Sequence, residues 1–303
     1  MSKKSWIAEE PGTAFALLRA MGLSDAEADV ALAEGRVFVG KNRVSARAHP
    51  VRVREELVLN APRSAVSLPE PFVLHHAGGV LVVDKPAGIS TVPDLAGAAG
   101  TLLDLAARAV GLSAKDLHPT SRLDREVSGL VTFATDRAAQ DALADARARS
   151  AYVRRYVAIA AGDPSFDTTR FTAPIGGKAS ASRARVVARS RGPARYAVLA
   201  LAPETGRTHQ LRIHASQAGL PLLGDDLYGG PRRLTASNGA VRSLARVALH
   251  CAAIQIDLTN HAESARPECT IRVVSPVPPE LIDLARLLGF SPDVFQEAST
   301  CPL

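Results

Sequence analysis

Cysteine and aromatic residues are scarce in this chain of 303 residues, which has three cysteines and one tryptophan and is 4% aromatic. Cys251, Cys269 and Cys301 are odd in number and far apart in the sequence, and they have no metal-ligand spacing. These features argue against a disulfide framework and against a cysteine metal site. We therefore expect a protein of a reducing compartment, without a bound metal.

Long apolar runs are absent as well, and no uninterrupted stretch is long enough to cross a bilayer. The charged segment at residues 1–6 continues into Glu9, Glu10 and Pro11, not into the apolar core of a secretory signal. The chain also lacks the GxGxxG and P-loop patterns that cradle nucleotide phosphates. We expect a cytoplasmic protein that does not bind membranes.

Positive charge is in excess, since 36 lysines and arginines face 30 aspartates and glutamates, for a formal net charge of +6. Such a balance favours polyanionic partners, of which nucleic acid is one. With 47% hydrophobic and 22% charged residues, the composition is that of an ordinary globular protein. The length allows two domains.

The first 60 residues have the pattern of a small module of their own. Apolar residues recur at helical spacing over residues 12–33, with a cap signal at Ser24 and Asp25, and short strand patterns follow up to Leu59. This order, with the run "AEGRVFVGKNRVSARAHPVRVREELVL", resembles the S4 RNA-binding fold. The resemblance implies RNA contact by residues 1–62; a purely structural leader is the alternative.

Proline and serine mark a predicted linker at residues 63–71, which separates this module from a larger domain at 72–290 and a tail at 291–303. In the larger domain, more segments have strand patterns than helix patterns. This mixture argues for an α+β domain with a largely antiparallel sheet. We predict strands near residues 72–75, 80–83, 130–133, 156–160, 185–188, 196–201, 249–258 and 269–274, and helices over 101–110, 136–149 and 207–218.

The run "SRLDREVSGL" places Asp124 between two arginines, Arg122 and Arg125. Nearby positive charge keeps a carboxylate ionised, and the guanidinium fork suits oxyanions such as phosphate. The pattern predicts a base or nucleophile beside a nucleic-acid backbone. An ordinary surface ion pair is the alternative.

The run "GRTHQLRIHASQAGLPLLGDDLYG" also combines cations with amide donors. If a helix begins at Thr208, the side chains of His209, Arg212 and Ile213 share one face. A solvated basic helix is the alternative interpretation. We interpret Asp225 and Asp226 as residues that shape a loop.

Together with "VLVVDKPAGISTVP" and "YVRRYVAIAAG", these two runs resemble, in order, four motifs of the RluA-type family of RNA pseudouridine synthases. The resemblance covers about residues 72–275. It implies the pseudouridine synthase fold, an α+β fold with a central mixed, largely antiparallel β-sheet, here preceded by the small S4-like α/β module. It further implies an isomerase that converts uridine to pseudouridine in structured RNA, with ribosomal RNA favoured over transfer RNA. This chemistry requires no metal or organic cofactor, and a monomer is the default expectation.

The resemblance also implies roles for individual residues. Asp124 corresponds to the catalytic aspartate, and Tyr156 to a tyrosine that stacks on the uracil. Arg212 corresponds to the arginine that pairs with the aspartate. Arg122 would enter the space left by the flipped nucleotide, and Leu211 would pack against the ring.

Three further residues on these motifs, Arg154, Arg207 and His209, are predicted to contact RNA, and Arg207 is also a second candidate for the ion pair. The chain departs from the family pattern at Ser121 in place of histidine, at Val127 in place of threonine and at Arg154 in place of lysine. The first two departures flank the loop of Asp124 and bear on its hydrogen bonding. The third preserves the positive charge.

A single carboxylate is chemically sufficient for this isomerisation. Glycoside hydrolysis uses two carboxylates, one of which protonates the leaving group. Uracil detaches from C1′ as a stabilised anion but stays in the site, so it does not need to be protonated. One carboxylate can therefore suffice, either by attacking C1′ or by removing the C2′ proton. Two other functions stay open: a catalytically silent RNA-binding or ribosome-assembly protein, and a hydrolytic nucleosidase.

Overall fold

The chain divides into two units in a computed structural model that describes residues 4–33, 35–40, 42–60, 72–93, 100–191, 194–235, 241–259 and 270–301. The smaller unit comprises Met1–Ser67 and Val92–Asp104, and the larger comprises Leu68–Thr91 and Leu105–Leu303. The predicted linker at residues 63–71 lies outside the described residues.

Among its described residues, the smaller unit contains two helices and six short strands. They are β1 (Lys4–Ile7), β2 (Gly12–Thr13), α1 (Ala14–Ala20), α2 (Asp25–Ala33), β3 (Val37–Val39), β4 (Asn42–Val44), β5 (Pro50–Val51) and β6 (Glu56–Leu59). Four strands form an antiparallel sheet in the order β1-β6-β3-β4, and β2 pairs with β5. Leu18, Ala28, Val37 and Leu57 are fully buried in its core. The resemblance to the S4 fold remains a prediction.

The larger unit has twelve strands among the described residues: β7 (Val73–Ala77), β8 (Val80–Lys85), β9 (His118–Pro119), β10 (Ser128–Ala134), β11 (Tyr152–Ala161), β12 (Thr168–Phe171), β13 (Ser182–Arg189), β14 (Tyr196–Pro203), β15 (Arg233–Thr235), β16 (Val241–Ser243), β17 (Leu249–Asp257) and β18 (Thr270–Val274). Its helices are α4 (Arg137–Ala148), α5 (Gln210–Gln217), α6 (Pro279–Leu287) and α7 (Val294–Thr300), while α3 (Leu102–Ala109) crosses the division between the units. No helix within the described ranges is long and apolar enough to cross a membrane.

Ten of these strands form one sheet, with the main order β12-β13-β14-β11-β17-β10-β8-β7. Over the described residues, its strand pairings are antiparallel except that of β10 with β17, which is parallel. The predicted α+β fold with a mixed, largely antiparallel sheet is therefore confirmed. Both β8 and β10 are buried along their whole length, which explains why their sequences read as continuous apolar runs.

The main core on one face of this sheet joins Val157 and Ile159 of β11 to α6 and α7. Leu281 contributes from α6, and Phe295 and Ala298 contribute from α7. The core therefore extends beyond residue 290, where the sequence pattern ended the larger domain. In the tail, one aromatic side chain and several small residues are enough to pack the mostly polar helix α7 against this core.

Gly129 permits the parallel contact between β10 and β17. Its backbone has φ +110°, and a Cβ atom built there would lie 2.3 Å from the carbonyl oxygen of Cys251. Any other residue would have to displace backbone at this point. The approach matters for the site, because Gly129 stands just after the loop that carries Asp124.

Candidate active site

The loop between β9 and β10, which carries Asp124, is held by side-chain hydrogen bonds to its backbone. Thr91 Oγ1 donates to the carbonyl of Leu123 at 3.0 Å and accepts from the Leu123 N–H at 3.1 Å. Ser121 Oγ accepts from the N–H of Thr132 at 3.1 Å. The serine that departs from the family pattern thus anchors the start of the loop.

The far side of the same loop rests on Lys85, which is fully buried. Its ammonium group donates to three backbone carbonyls, including those of Arg125 at 3.2 Å and Val127 at 2.7 Å. Burial, reinforced by the charge of Arg246 and opposed by that of Asp124, lowers the pKa of Lys85 to about 7. Lys85 therefore supports the floor beneath Asp124 and does not project into the open part of the site.

Arg212 of α5 joins two carboxylates that differ sharply in exposure. Its Nε and Nη2 each donate to Asp225 at 2.7 Å, and its Nη1 donates to Asp124 Oδ2 at 3.1 Å. The side chain of Asp225 is 0% exposed and that of Arg212 is 6% exposed, whereas Asp124 is 25% exposed. Asp225 is thus a buried anchor, and Asp124 is the member of the cluster that solvent and a ligand can reach.

The cluster keeps Arg212 charged. Burial alone would lower the pKa of Arg212, but hydrogen bonds to Asp225 and then to Asp124 outweigh burial and raise it. The guanidinium carbon also lies 5.1 Å from the centre of the Tyr228 ring. Asp124 thus lies beside a fixed positive charge that accepts no proton and donates a hydrogen bond to it.

His209 lies at the N-terminus of α5 with a left-handed backbone, φ +54°. The helix begins at Gln210 and not at Thr208, so the predicted helical face shared by His209 and Arg212 is wrong. Contacts bring the two side chains to one cluster instead. His209 Nδ1 lies 2.9 Å from the Tyr228 hydroxyl, and its Nε2 lies 3.9 Å from Asp124 Oδ2.

Tyr156 lies in β11 beside Cys251 of β17, which in turn pairs with Gly129 of β10. Its side chain is buried and interacts with Cys251 and Arg154. Burial raises the pKa of Tyr156, and Cys251 adds to the effect. Arg154, which is half-buried, is therefore engaged with this tyrosine.

The other residues predicted for the site differ in exposure and in hydrogen-bond partners. Arg122 is exposed two residues before Asp124, and Leu211 is buried on α5. The guanidinium of Arg207 donates twice to the carbonyl of Ala179, at 3.1 and 3.0 Å. Arg212, and not Arg207, makes the ion pair with the loop aspartate.

Two members of the cluster, Asp225 and Tyr228, were not among the predicted site residues. Both stand in the last matched run, beyond the helix of Arg212. Asp225 follows a glycine and precedes a second acidic residue, which is also the pattern of an ordinary turn. The sequence signal that could have identified Asp225 and Tyr228 is their position inside a family motif.

Within the described ranges, no group of three or more histidine, cysteine, aspartate or glutamate side chains has the geometry to hold a metal ion. The carboxylates near the site are instead bound to arginines, such as Glu126 to Arg232 at 3.4 Å.

Comparison with known proteins agrees with this geometry. A family model described as RNA pseudouridylate synthase matches residues 79–217. The relative YjbO of Bacillus subtilis, named an uncharacterized RNA pseudouridine synthase, is 32% identical over 197 residues, covering 58% of this chain and 69% of the relative. Ribosomal large subunit pseudouridine synthase D of Neisseria meningitidis is 34% identical over 246 residues, covering 73% of this chain and 63% of the relative.

The match thus spans less than two thirds of the Neisseria protein, and the same holds for YhcT of Bacillus subtilis, which is 35% identical with 63% of its length covered. Among solved structures, human RNA Pseudouridylate Synthase Domain Containing 4 aligns with a TM-score of 0.55 at 20% identity, over 73% of this chain and 94% of the other. This likeness shows that the fold is shared. The chain belongs to the RluA-type family of RNA pseudouridine synthases.

Proposed function

We propose that the protein is an isomerase that converts uridine to pseudouridine in RNA, with Asp124 as its reactive carboxylate. The observation that carries the proposal is the asymmetry around Arg212. Asp225 is buried and accepts hydrogen bonds from Nε and Nη2 of this guanidinium. Asp124 accepts one from Nη1 and remains partly exposed. The arrangement leaves one ionised carboxylate available for chemistry.

The reaction breaks the C–N bond between uracil and C1′, turns the detached base and joins its C5 to the same sugar carbon. Asp124 can serve either by attacking C1′ or by removing the C2′ proton. Both routes need an ionised carboxylate, and Arg212 supplies the stabilising charge. Because uracil stays bound as an anion, no second carboxylate is needed to protonate a departing group.

A uridine in structured RNA must leave its stack before it can reach Asp124. Arg122, exposed beside that residue, suits the task of filling the vacated space. Tyr156 and Leu211 are both buried, and in this proposal they contact the extruded uracil from the protein side. Arg154, Arg207 and His209 would belong to the same RNA-binding surface. Arg154 also interacts with Tyr156, and Arg207 also donates to the carbonyl of Ala179.

Ribosomal RNA is the proposed target, with transfer RNA as the less favoured one. The relatives in Neisseria meningitidis and Salmonella typhimurium are named ribosomal large subunit pseudouridine synthases D and C. An RNA contact by the S4-like module at residues 1–62 would add to binding. A monomer that works in the cytoplasm fits this role.

The first test replaces Asp124 by Asn, which keeps the size of the side chain but removes its charge. Pseudouridine formation should fall by more than about 10³-fold, while RNA binding stays nearly unchanged. The matched control is Glu126→Gln, two residues away in the same loop, whose partner Arg232 is a surface contact. Because such pairs contribute about 1 kcal/mol or less, this variant should stay active. Activity in Asp124→Asn, or an equal loss in Glu126→Gln, would contradict the proposal.

A further inference from the structure

The isomerisation ends with the loss of a proton from the uracil ring, and an inference about the group that accepts this proton rests on the proposed function. Once C5 of the uracil has bonded to C1′, C5 still carries its hydrogen and the ring is no longer aromatic. The last step must remove that hydrogen as a proton. By then Asp124 has released C1′ or returned the C2′ proton, and because an imidazole is a stronger base than a carboxylate, a histidine beside Asp124 is the better acceptor.

Tyr156 is poorly placed to accept this proton. Its side chain is buried and interacts with Arg154 and Cys251. Its raised pKa means that the phenolate form, which is the basic one, is disfavoured. Tyr156 is suited to contact the ring of the uracil and not to deprotonate it.

His209 has the geometry that the step requires. Its Nε2 lies 3.9 Å from Asp124 Oδ2, and both side chains are about one quarter exposed, at 28% and 25%. Its Nδ1 lies 2.9 Å from the Tyr228 hydroxyl, and the two rings meet edge to face with their centres 5.7 Å apart. In the tautomer that donates Nδ1–H to this hydroxyl, the unprotonated nitrogen is Nε2, the one that lies 3.9 Å from Asp124 Oδ2.

Two further features hold this pair in place. Ser216 Oγ donates to the carbonyl of Tyr228 at 2.7 Å, and the Arg212 guanidinium lies over the ring of Tyr228. The left-handed backbone of His209 is an unusual conformation for a residue with a side chain, and such conformations concentrate at functional sites. The fold thus retains a strained backbone that directs an imidazole toward the reactive carboxylate.

We propose that His209, oriented by Tyr228, is the base that takes the proton from C5 after the C1′–C5 bond has formed. The C5–H electron pair becomes the C5–C6 double bond, and the C6–N1 π pair moves onto N1, which takes a proton from water. The imidazolium, stabilised by the carboxylate of Asp124, then releases its proton to water. No co-reactant is consumed, and the net reaction remains an isomerisation.

The test compares three versions of one substrate, a mixture of large-subunit ribosomal and transfer RNA transcribed in vitro. The transcripts carry uridine, 5-deuteriouridine or 5-fluorouridine. Fluorine does not leave as a proton, so the 5-fluoro base reports on every step up to C–C bond formation and not on the final deprotonation. The variant is His209→Asn, because asparagine tolerates the left-handed backbone but does not accept a proton near neutral pH.

His209→Asn should form pseudouridine at least about 100-fold more slowly than the wild type. It should show a primary isotope effect with 5-deuteriouridine, and it should rearrange 5-fluorouridine at the rate of the wild type. Tyr228→Phe should change the same quantities in the same direction by a smaller factor. His76→Gln, on an exposed residue of β7, should leave all three rates unchanged.

Equal slowing of the uridine and 5-fluorouridine reactions would overturn the assignment and make His209 a structural residue. Full uridine activity in His209→Asn would overturn it as well. Failure of the wild type to rearrange either base would instead refute the proposed function itself.

Discussion

Asp124 and Asp225 bind the same guanidinium but differ in what surrounds them. Asp225 is fully buried and makes two hydrogen bonds to Arg212, while Asp124 makes one and faces the opening. The residue type alone does not distinguish them, because both are aspartates beside glycine or arginine in a motif. Exposure decides which carboxylate can react, and exposure depends on how β10 and α5 pack.

A second cluster of polar side chains is buried at the start of β10, after the loop that carries Asp124. Ser275 Oγ donates to Asp84 Oδ2 at 2.8 Å and lies 3.2 Å from His250 Nε2. His250 Nδ1 lies 2.9 Å from the hydroxyl of Ser128, the first residue of β10. Burial raises the pKa of Asp84 to about 6 and lowers that of His250 to about 3.

These two shifts predict an unusual dependence of stability on pH. Between about pH 4 and 6, the folded protein holds a proton on Asp84 and the unfolded chain holds one on His250, so the proton counts cancel. Below about pH 4, the unfolded chain binds one proton more, and stability falls. Asp84→Asn removes the folded-state proton, so this variant should lose about 1.4 kcal/mol of stability relative to the wild type for each pH unit that the pH falls from 6 to 4.

Urea unfolding of both proteins from pH 3 to 8 measures this difference. The advantage of the wild type over Asp84→Asn should be greatest near pH 4 and should shrink as the pH rises through 6. Parallel profiles of the two proteins would show that Asp84 titrates alike in the folded and unfolded states.

At the scale of elements, the strands with long apolar runs were the most predictable. The predicted strand at 80–83 lies within β8, and the one at 130–133 lies within β10, because a strand buried on both faces needs continuous apolar sequence. The start of α5 was not predictable, because a left-handed backbone is usually signalled by glycine and this position is a histidine, His209. Helix α7 was missed because its sequence is mostly polar and its core contact depends on few side chains.

The pairing of β10 with β17 yields a prediction about two glycines. Gly129→Ala would place a Cβ 2.3 Å from the Cys251 carbonyl oxygen, whereas Gly111→Ala, at φ +70°, would meet no atom within 4 Å. We expect a cost of about 1 kcal/mol for Gly111→Ala, which strains only the backbone, and of about 3 kcal/mol or more for Gly129→Ala. Urea unfolding measures both, and equal losses would mean that the strand approach is not tight.

For the whole molecule, the sequence motifs predicted the family, while the domain boundaries and the roles of the site residues stay predictions. Asp124 and Arg212 are 88 residues apart in the chain and meet in the structure, as the resemblance implied. Motif order carries that information because the fold is shared among relatives. The domain limits depend on packing that no motif encodes, and the linker at 63–71 stays a prediction.

The net charge of +6 predicts that RNA binding depends strongly on salt. Each phosphate neutralised by the protein releases counterions, so even two or three such contacts weaken binding about tenfold between 50 and 200 mM salt. Filter binding or fluorescence anisotropy with a ribosomal RNA transcript measures the slope. An affinity that hardly changes over this range would mean that phosphate contacts do not dominate recognition.

The most direct measurement maps pseudouridine at single-nucleotide resolution in ribosomal and transfer RNA from cells that lack this protein. The same map is then made after complementation with the wild type or with Asp124→Asn. We predict that at least one uridine loses its modification without the protein, that the wild type restores it and that Asp124→Asn does not. An unchanged map, or restoration by Asp124→Asn, would contradict the account.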